Sequence, residues 1–161
     1  MVKPKSLSPM PPASEMLKLD HQLCFALYSA SLAMTKLYKP LLDPLKLTYP
    51  QYLVMLVLWE GDGITVSELG QRLQLDSGTL TPLLKRIEAN GLVERQRDSA
   101  DERRVLVSLT AAGRALKTRA GKVPQNVACA AGCSLDELAA LTRRLKSLRD
   151  EIQSHTEAAS A

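Results

Sequence analysis

Apolar residues recur at three- and four-residue steps along most of this chain, and the rhythm breaks once into strict alternation. Leu17, Cys24, Leu27, Tyr28, Ser31, Met34 and Tyr38 keep the helical step, so a long first helix is predicted from a capping Ser14 to about Leu37. Pro40 and Pro44 should end it in a short irregular connection. A second helix opens on a capping box, Thr48 with Gln51, and stops at Gly61. Its inward side is read as Leu53, Leu56, Val57 and the opening tyrosines, with Trp59 as a core anchor. A third helix opens on Thr65 and Glu68 and faces inward through Val66, Leu69 and Leu73. After a turn at Gln74 to Asp76, a fourth buries Leu80, Leu83, Leu84 and Ile87 and closes at Asn90-Gly91. Two short amphipathic helices joined by a tight turn make a helix-turn-helix pattern.

After Gly91 the period becomes two. Residues 92–97 and 105–109 read as strands, the second alternating through Val105, Val107 and Leu109. The polar stretch from Asp98 to Arg104 joins them into a β-hairpin wing. Thr110 caps a fifth helix, which Pro124 should kink or interrupt. Ser134 with Glu137 opens the last helix, where Leu138, Leu141, Leu145, Leu148 and Ile152 form a coiled-coil-like seam. The expected fold class is mainly α with a small β-hairpin: a winged helix-turn-helix flanked by N- and C-terminal dimerisation helices. Residues 1–13, with Pro4, Pro9, Pro11 and Pro12, are read as a disordered tail. Residues 14–158 are read as one domain, the winged helix at about 48–110 and the dimerisation helices at about 14–46 and 111–158.

Composition narrows the class. Apolar residues are 45% and charged residues 24%, which suits a soluble globular protein. With 4% aromatics, Leu, Val and Ala must fill the core. The net charge of +4 suits nucleic acid without demanding it. The most apolar run, Tyr52 to Trp59, is too short to span a membrane, and no apolar signal core follows Lys3 and Lys5, so a cytoplasmic protein is expected. Three cysteines cannot all pair within one chain, and reduced thiols are expected. Cys129 and Cys133 lack thioredoxin-like spacing, and His21 and His155 cluster with no pair of cysteines, so neither metal nor cofactor is expected.

With Leu80, Leu84 and Ile87 inward, the fourth helix turns Gly78, Pro82, Lys85, Arg86 and Ala89 outward, toward a major groove. Ser77, Thr79 and Thr81 lie near its start, where short hydroxyls meet phosphates or bases. Pro82 leaves two alternatives: a helix starting near Thr79, or one bent at Pro82. On the wing, Arg103 and Arg104 can reach a minor groove or the backbone, and Asp101 can hold Arg103. Between Lys85 and Arg104 six basic residues face five acidic ones, so element order carries the DNA reading, not charge density. A winged helix that binds a protein is the plainer rival.

Cys24, with Tyr28, Tyr38 and Tyr49 downstream, is the second constellation. A thiolate attacks peroxide oxygen, and phenol hydroxyls can donate to it and orient the peroxide. Tyr28 lies one turn from Cys24, whereas Tyr38 lies about 21 Å further along a straight helix and can meet it only through tertiary or dimer folding. The competing reading is a buried cysteine that only packs.

The element order resembles the MarR family of dimeric regulators. The stretch from Asp76 to Val93, with Arg95 and Asp101-Glu102-Arg103, is similar to the organic hydroperoxide resistance regulators within it, and Cys24, Tyr28, Tyr38 and Tyr49 are in matching register. The resemblance covers about residues 15 to 153. It implies that Cys24 senses peroxide, hydrogen-bonded by Tyr38 and Tyr49 with Tyr28 nearby. It implies that Cys129 resolves the oxidised sulfur as an intersubunit disulfide, Cys133 being a spare that could take that part. It also implies a homodimeric repressor on inverted-repeat operator DNA, with an organic hydroperoxide as inducer, and no enzyme. Two rivals stand beside it: a regulator controlled by a non-covalent aromatic ligand, and a thiol peroxidase.

Overall fold

The computed structural model describes residues 12–159, so the expected tail at 1–13 lies almost wholly outside the described residues. The described residues divide into two compact units that part between Lys36 and Leu37.

In the first unit the expected long helix is broken. A short helix, α1 (Ala13–Met16), and a 3₁₀ turn (Leu19–His21) precede α2 (Leu23–Leu42). Lys18 and Gln22 take extended backbone angles on either side of the turn. The Gln22 side-chain amide donates to the Met16 and Lys18 carbonyls, acceptors that a continuous helix would have used itself. Ser14 therefore caps nothing; it lies inside α1. Nor does Pro40 end α2, which runs on to Leu42. Pro40 sits in the final turn, where its missing N–H leaves one carbonyl unpaired rather than breaking the helix midway. Pro44 then opens the 3₁₀ turn Asp43–Leu45.

The second unit is built on α3 (Tyr49–Glu60), which touches α4 (Val66–Leu73), α5 (Ser77–Ala89) and α6 (Ala111–Ala120). Being surrounded, α3 is buried on more than one side. Val54, Met55 and Leu58 are fully buried, whereas Leu53 and Leu56, expected inward, are only half-buried. The Thr48 N–H donates to Gln51 Oε1 at 2.9 Å, and the Gly61 N–H closes the helix on the Val57 carbonyl at 3.1 Å. Trp59 is half-buried and donates from Nε1 to the Gly113 carbonyl at 2.9 Å.

The hairpin joins β2 (Val93–Arg97) to β3 (Val105–Leu109), pairing Val93 with Leu109 and Arg97 with Val105. A strand not expected from the pattern, β1 (Ile64–Thr65), pairs with β3 to give the order β1-β3-β2. Two residues are too short to show alternation. Thr110 Oγ1 accepts from the Gly113 N–H at 3.0 Å and caps α6. Pro124 interrupts as expected, at the start of α7 (Val123–Ala131). The Ser134–Glu137 box opens α8 (Leu135–Ala159), with the Ser134 N–H 2.8 Å from Glu137 Oε2. On α8, Leu141, Leu145 and Ile152 of the seam are exposed, while Leu138 and Leu148 are partly covered.

Candidate nucleic-acid interface and thiol site

The start of α5 is set by one carboxylate. Asp76 Oδ1 accepts from the Thr79 N–H and Oδ2 from the Thr79 hydroxyl, both at 2.9 Å. The backbone bond first, then the hydroxyl, holds the Asp76 carboxyl below the usual carboxylate range. Capped at Asp76, α5 starts at Ser77, two residues before Thr79, and carries Pro82 inside it. Leu80, Leu84 and Ile87 are fully buried. That fixes the outer face as expected, with Ser77, Gly78, Thr79, Pro82, Lys85, Arg86 and Ala89 exposed and Thr81 half-buried. Gly70 makes the close approach of the turn, since a Cβ there would stand 2.9 Å from the Leu75 carbonyl.

At the wing tip, Asp101 Oδ1 accepts from Arg103 through its backbone N–H at 3.1 Å and Nε at 3.2 Å. The Arg103 side chain is nevertheless 92% exposed, a charge held in direction but not covered. Arg104 lies 3.8 Å from Asp98, a partner the pattern did not single out. The Glu68 carboxyl, bonded first by the Thr65 N–H and then by its hydroxyl, lies low and also feels Arg104. Thr65, Glu68, Thr81, Arg95, Arg103 and Arg104 share a cleft of about 660 Å³ between the helix pair and the wing. The Arg95–Glu88 pair behind it was also missed. Its members face each other across the Gly91 turn, where no helical or strand spacing applies.

All three cysteines are free and exposed. Cys24 is the second residue of α2, beside exposed Leu23, Phe25, Leu27 and Tyr28, so within the chain it does not pack in a core. In the second unit Tyr38 and Tyr49 are brought together, with ring centroids 4.7 Å apart, and buried Tyr52 joins them at 6.0 Å from Tyr38. Tyr52 was read only as part of an inward side. Burial, then the neighbouring Tyr49 and Tyr52, pushes the Tyr38 phenol up to about 12. It therefore keeps its proton and stays a donor at neutral pH. Among the described residues no cluster of three metal-ligating side chains exists, and no helix is long and apolar enough to cross a membrane.

The family described as transcriptional regulator SarA/Rot matches residues 36–120, more than half of the chain. The chain belongs to this SarA/Rot and MarR-type family of winged-helix regulators. Its members regulate transcription and are not enzymes, which disposes of the peroxidase rival. The organic hydroperoxide resistance transcriptional regulator of Bacillus subtilis is 56% identical over 111 residues, covering 69% of this chain and 76% of the relative. The regulator TtmR of Methylorubrum extorquens is 55% identical over 134 residues, 83% of this chain and 69% of its own length. Among solved structures, reduced AbfR bound to DNA is 33% identical with a TM-score of 0.69, covering 86% of this chain and 96% of that one. A disulfide form of AbfR, a protein of Staphylococcus epidermidis, is 36% identical with a TM-score of 0.59, covering 84% and 95%.

Proposed function

We propose that this regulator is a homodimeric repressor that releases operator DNA when an organic hydroperoxide oxidises Cys24. The observation that carries the reading is the free, exposed Cys24 thiol set among exposed apolar side chains at the start of α2. Such a surround favours an alkyl peroxide over hydrogen peroxide. The high identity to a hydroperoxide resistance regulator supports it. The Cys24 thiolate attacks the terminal peroxide oxygen, the O–O bond breaks, and the alcohol leaves, giving Cys24 sulfenic acid. Tyr38 and Tyr49, with Tyr28, donate hydrogen bonds to the sulfur. The Cys129 thiol of the partner subunit then displaces water and forms an intersubunit disulfide. That bond allows a Cα separation of only about 4.4–6.8 Å. Drawing the two sulfurs together moves the reading heads off their spacing of about 34 Å on the duplex.

Dimerisation through the exposed apolar residues of α8 is part of the same reading. Ser77, Thr79, Thr81, Lys85, Arg86, Arg103 and Arg104 would contact an inverted repeat, Asp101 holding Arg103. The test uses a duplex selected from a random pool by the reduced protein. Cumene hydroperoxide should release it from wild type and leave Cys24→Ser bound, while a non-reducing gel shows a Cys129-dependent dimer. Release of the duplex from Cys24→Ser would overturn the reading and favour a non-covalent ligand.

A further inference from the structure

We propose that Cys133 undoes the cross-link made at Cys129: its sulfur displaces Cys24 and closes an intrachain Cys129–Cys133 disulfide at the end of α7. The inference rests on the peroxide reading above and adds the step that ends the signal.

The geometry lies in the way α7 stops. Gly132 takes a left-handed conformation, φ +66°, and its N–H bonds the Cys129 carbonyl at 3.2 Å. The Cys133 N–H then bonds the Ala128 carbonyl at 3.3 Å, so the chain folds back beneath the turn that carries Cys129. The Cys133 thiol donates to the Ala131 carbonyl at 3.5 Å, which keeps the sulfur against this helix end. Both thiols are exposed. Between them stand only Ala130, Ala131 and Gly132, with nothing larger than a methyl group.

A disulfide needs Cβ atoms about 3.5–4.5 Å apart. Cys129 sits in the last turn of α7 and Cys133 just past its stop, so any adjustment falls on a helix end, and helix ends open at small cost. An attacking thiol within the same short segment also acts at an effective concentration in about the millimolar range.

The exchange balances without a further oxidant. One hydroperoxide is reduced to its alcohol as Cys24 becomes the sulfenic acid, and water leaves as Cys129 of the partner subunit condenses with it. The Cys133 thiolate beside that Cys129 attacks its Sγ, the Cys24–Cys129 bond breaks, and Cys24 departs with the electron pair and takes up a proton. The intersubunit tie is lost, Cys24 is a thiol again, and the oxidation is stored within one chain. The cross-linked state is therefore a transient whose lifetime Cys133 sets.

The full chain is treated with cumene hydroperoxide, quenched with alkylating agent at intervals, and followed by non-reducing gel and mass spectrometry of tryptic fragments 19–36 and 123–143. In wild type the cross-linked dimer should rise and then decay, while fragment 123–143 becomes lighter by two hydrogens and Cys24 becomes alkylatable. In Cys133→Ser the dimer should last about tenfold longer or more. Equal lifetimes in the two proteins would overturn the proposal. A second arm uses Cys24→Ser with oxidised glutathione, which should leave fragment 123–143 closed on itself; a persistent glutathione adduct there shows that the ring cannot form and sinks the exchange alone. A wild type that never cross-links sinks the peroxide reading, and the displacement with it, whatever the glutathione arm returns.

Discussion

Arg95 on β2 grips Glu88 on α5 with three donors: Nε at 3.0 Å and Nη2 at 2.6 Å on one carboxylate oxygen, and its backbone N–H at 3.2 Å on the other. The pair ties the last turn of α5 to the root of the wing. Arg95 holds the Glu88 carboxyl below its ordinary value of 4.5. A lowered acid stabilises the fold above that value and loses the contribution as pH falls through the folded-state value. Because both side chains are partly open to solvent, Glu88→Gln should lower stability by only about 1 kcal/mol at neutral pH. Urea unfolding of both proteins, at neutral pH and again well below 4.5, should show the difference shrinking in acid.

The DNA contacts of the wing should depend on Asp101 as well as on Arg103. Arg103→Ala removes the charge, and if it reads a base edge the loss is about 1–3 kcal/mol. Asp101→Asn keeps the charge but weakens its orientation, so the loss should be smaller. If Lys85 and Arg86 meet phosphates, each alanine variant should reduce the slope of log affinity against log salt by about 1. Fluorescence anisotropy across a salt series separates these outcomes.

Alkali should expose the tyrosine cluster. An unfolded chain ionises its phenols near 10, but Tyr38 in the fold waits until about 12. The unfolded state thus binds fewer protons between those values, and the stabilisation present below 10 is lost as pH rises to 12. Tyr38→Phe keeps a ring against Tyr49 and Tyr52, and should abolish the last phenolate step in an absorbance titration.

Gly113 is the tightest joint among the described glycines. A Cβ there would stand 2.0 Å from the Leu92 carbonyl, and that contact is with backbone. Gly113→Ala should cost about 3 kcal/mol, since neither α6 nor the strand root can give way cheaply. The same glycine's carbonyl accepts from Trp59, so a shifted indole fluorescence should accompany the fall in melting temperature.

Much of this architecture was legible before any coordinates. The boxes at Thr65–Glu68 and Ser134–Glu137 and the Thr110 cap are local, each satisfied within three residues, so spacing alone reveals them. The outer face of α5 was legible for the same reason, because three buried residues at helical steps leave one face for solvent. The break in the first helix is local but was masked by the apolar rhythm, which runs on past it while the Gln22 amide bonds carbonyls six and four residues back. Other failures came where a distant partner decides. The two-residue β1 exists only because β3 offers it a ladder.

Of the thiol chemistry, sequence alone marked Cys24, Cys129 and Cys133 as the sulfurs available, and placed Tyr38 and Tyr49 on separate helices. Folding decided that these two rings meet at 4.7 Å with their planes tilted by 48°, that Tyr52 joins them, and that Cys24 is exposed. The physical reason is range. Periodicity and caps are settled by neighbours within a turn or two of chain, whereas burial, ring contacts and ion pairs such as Arg95–Glu88 depend on which surfaces meet once those elements pack.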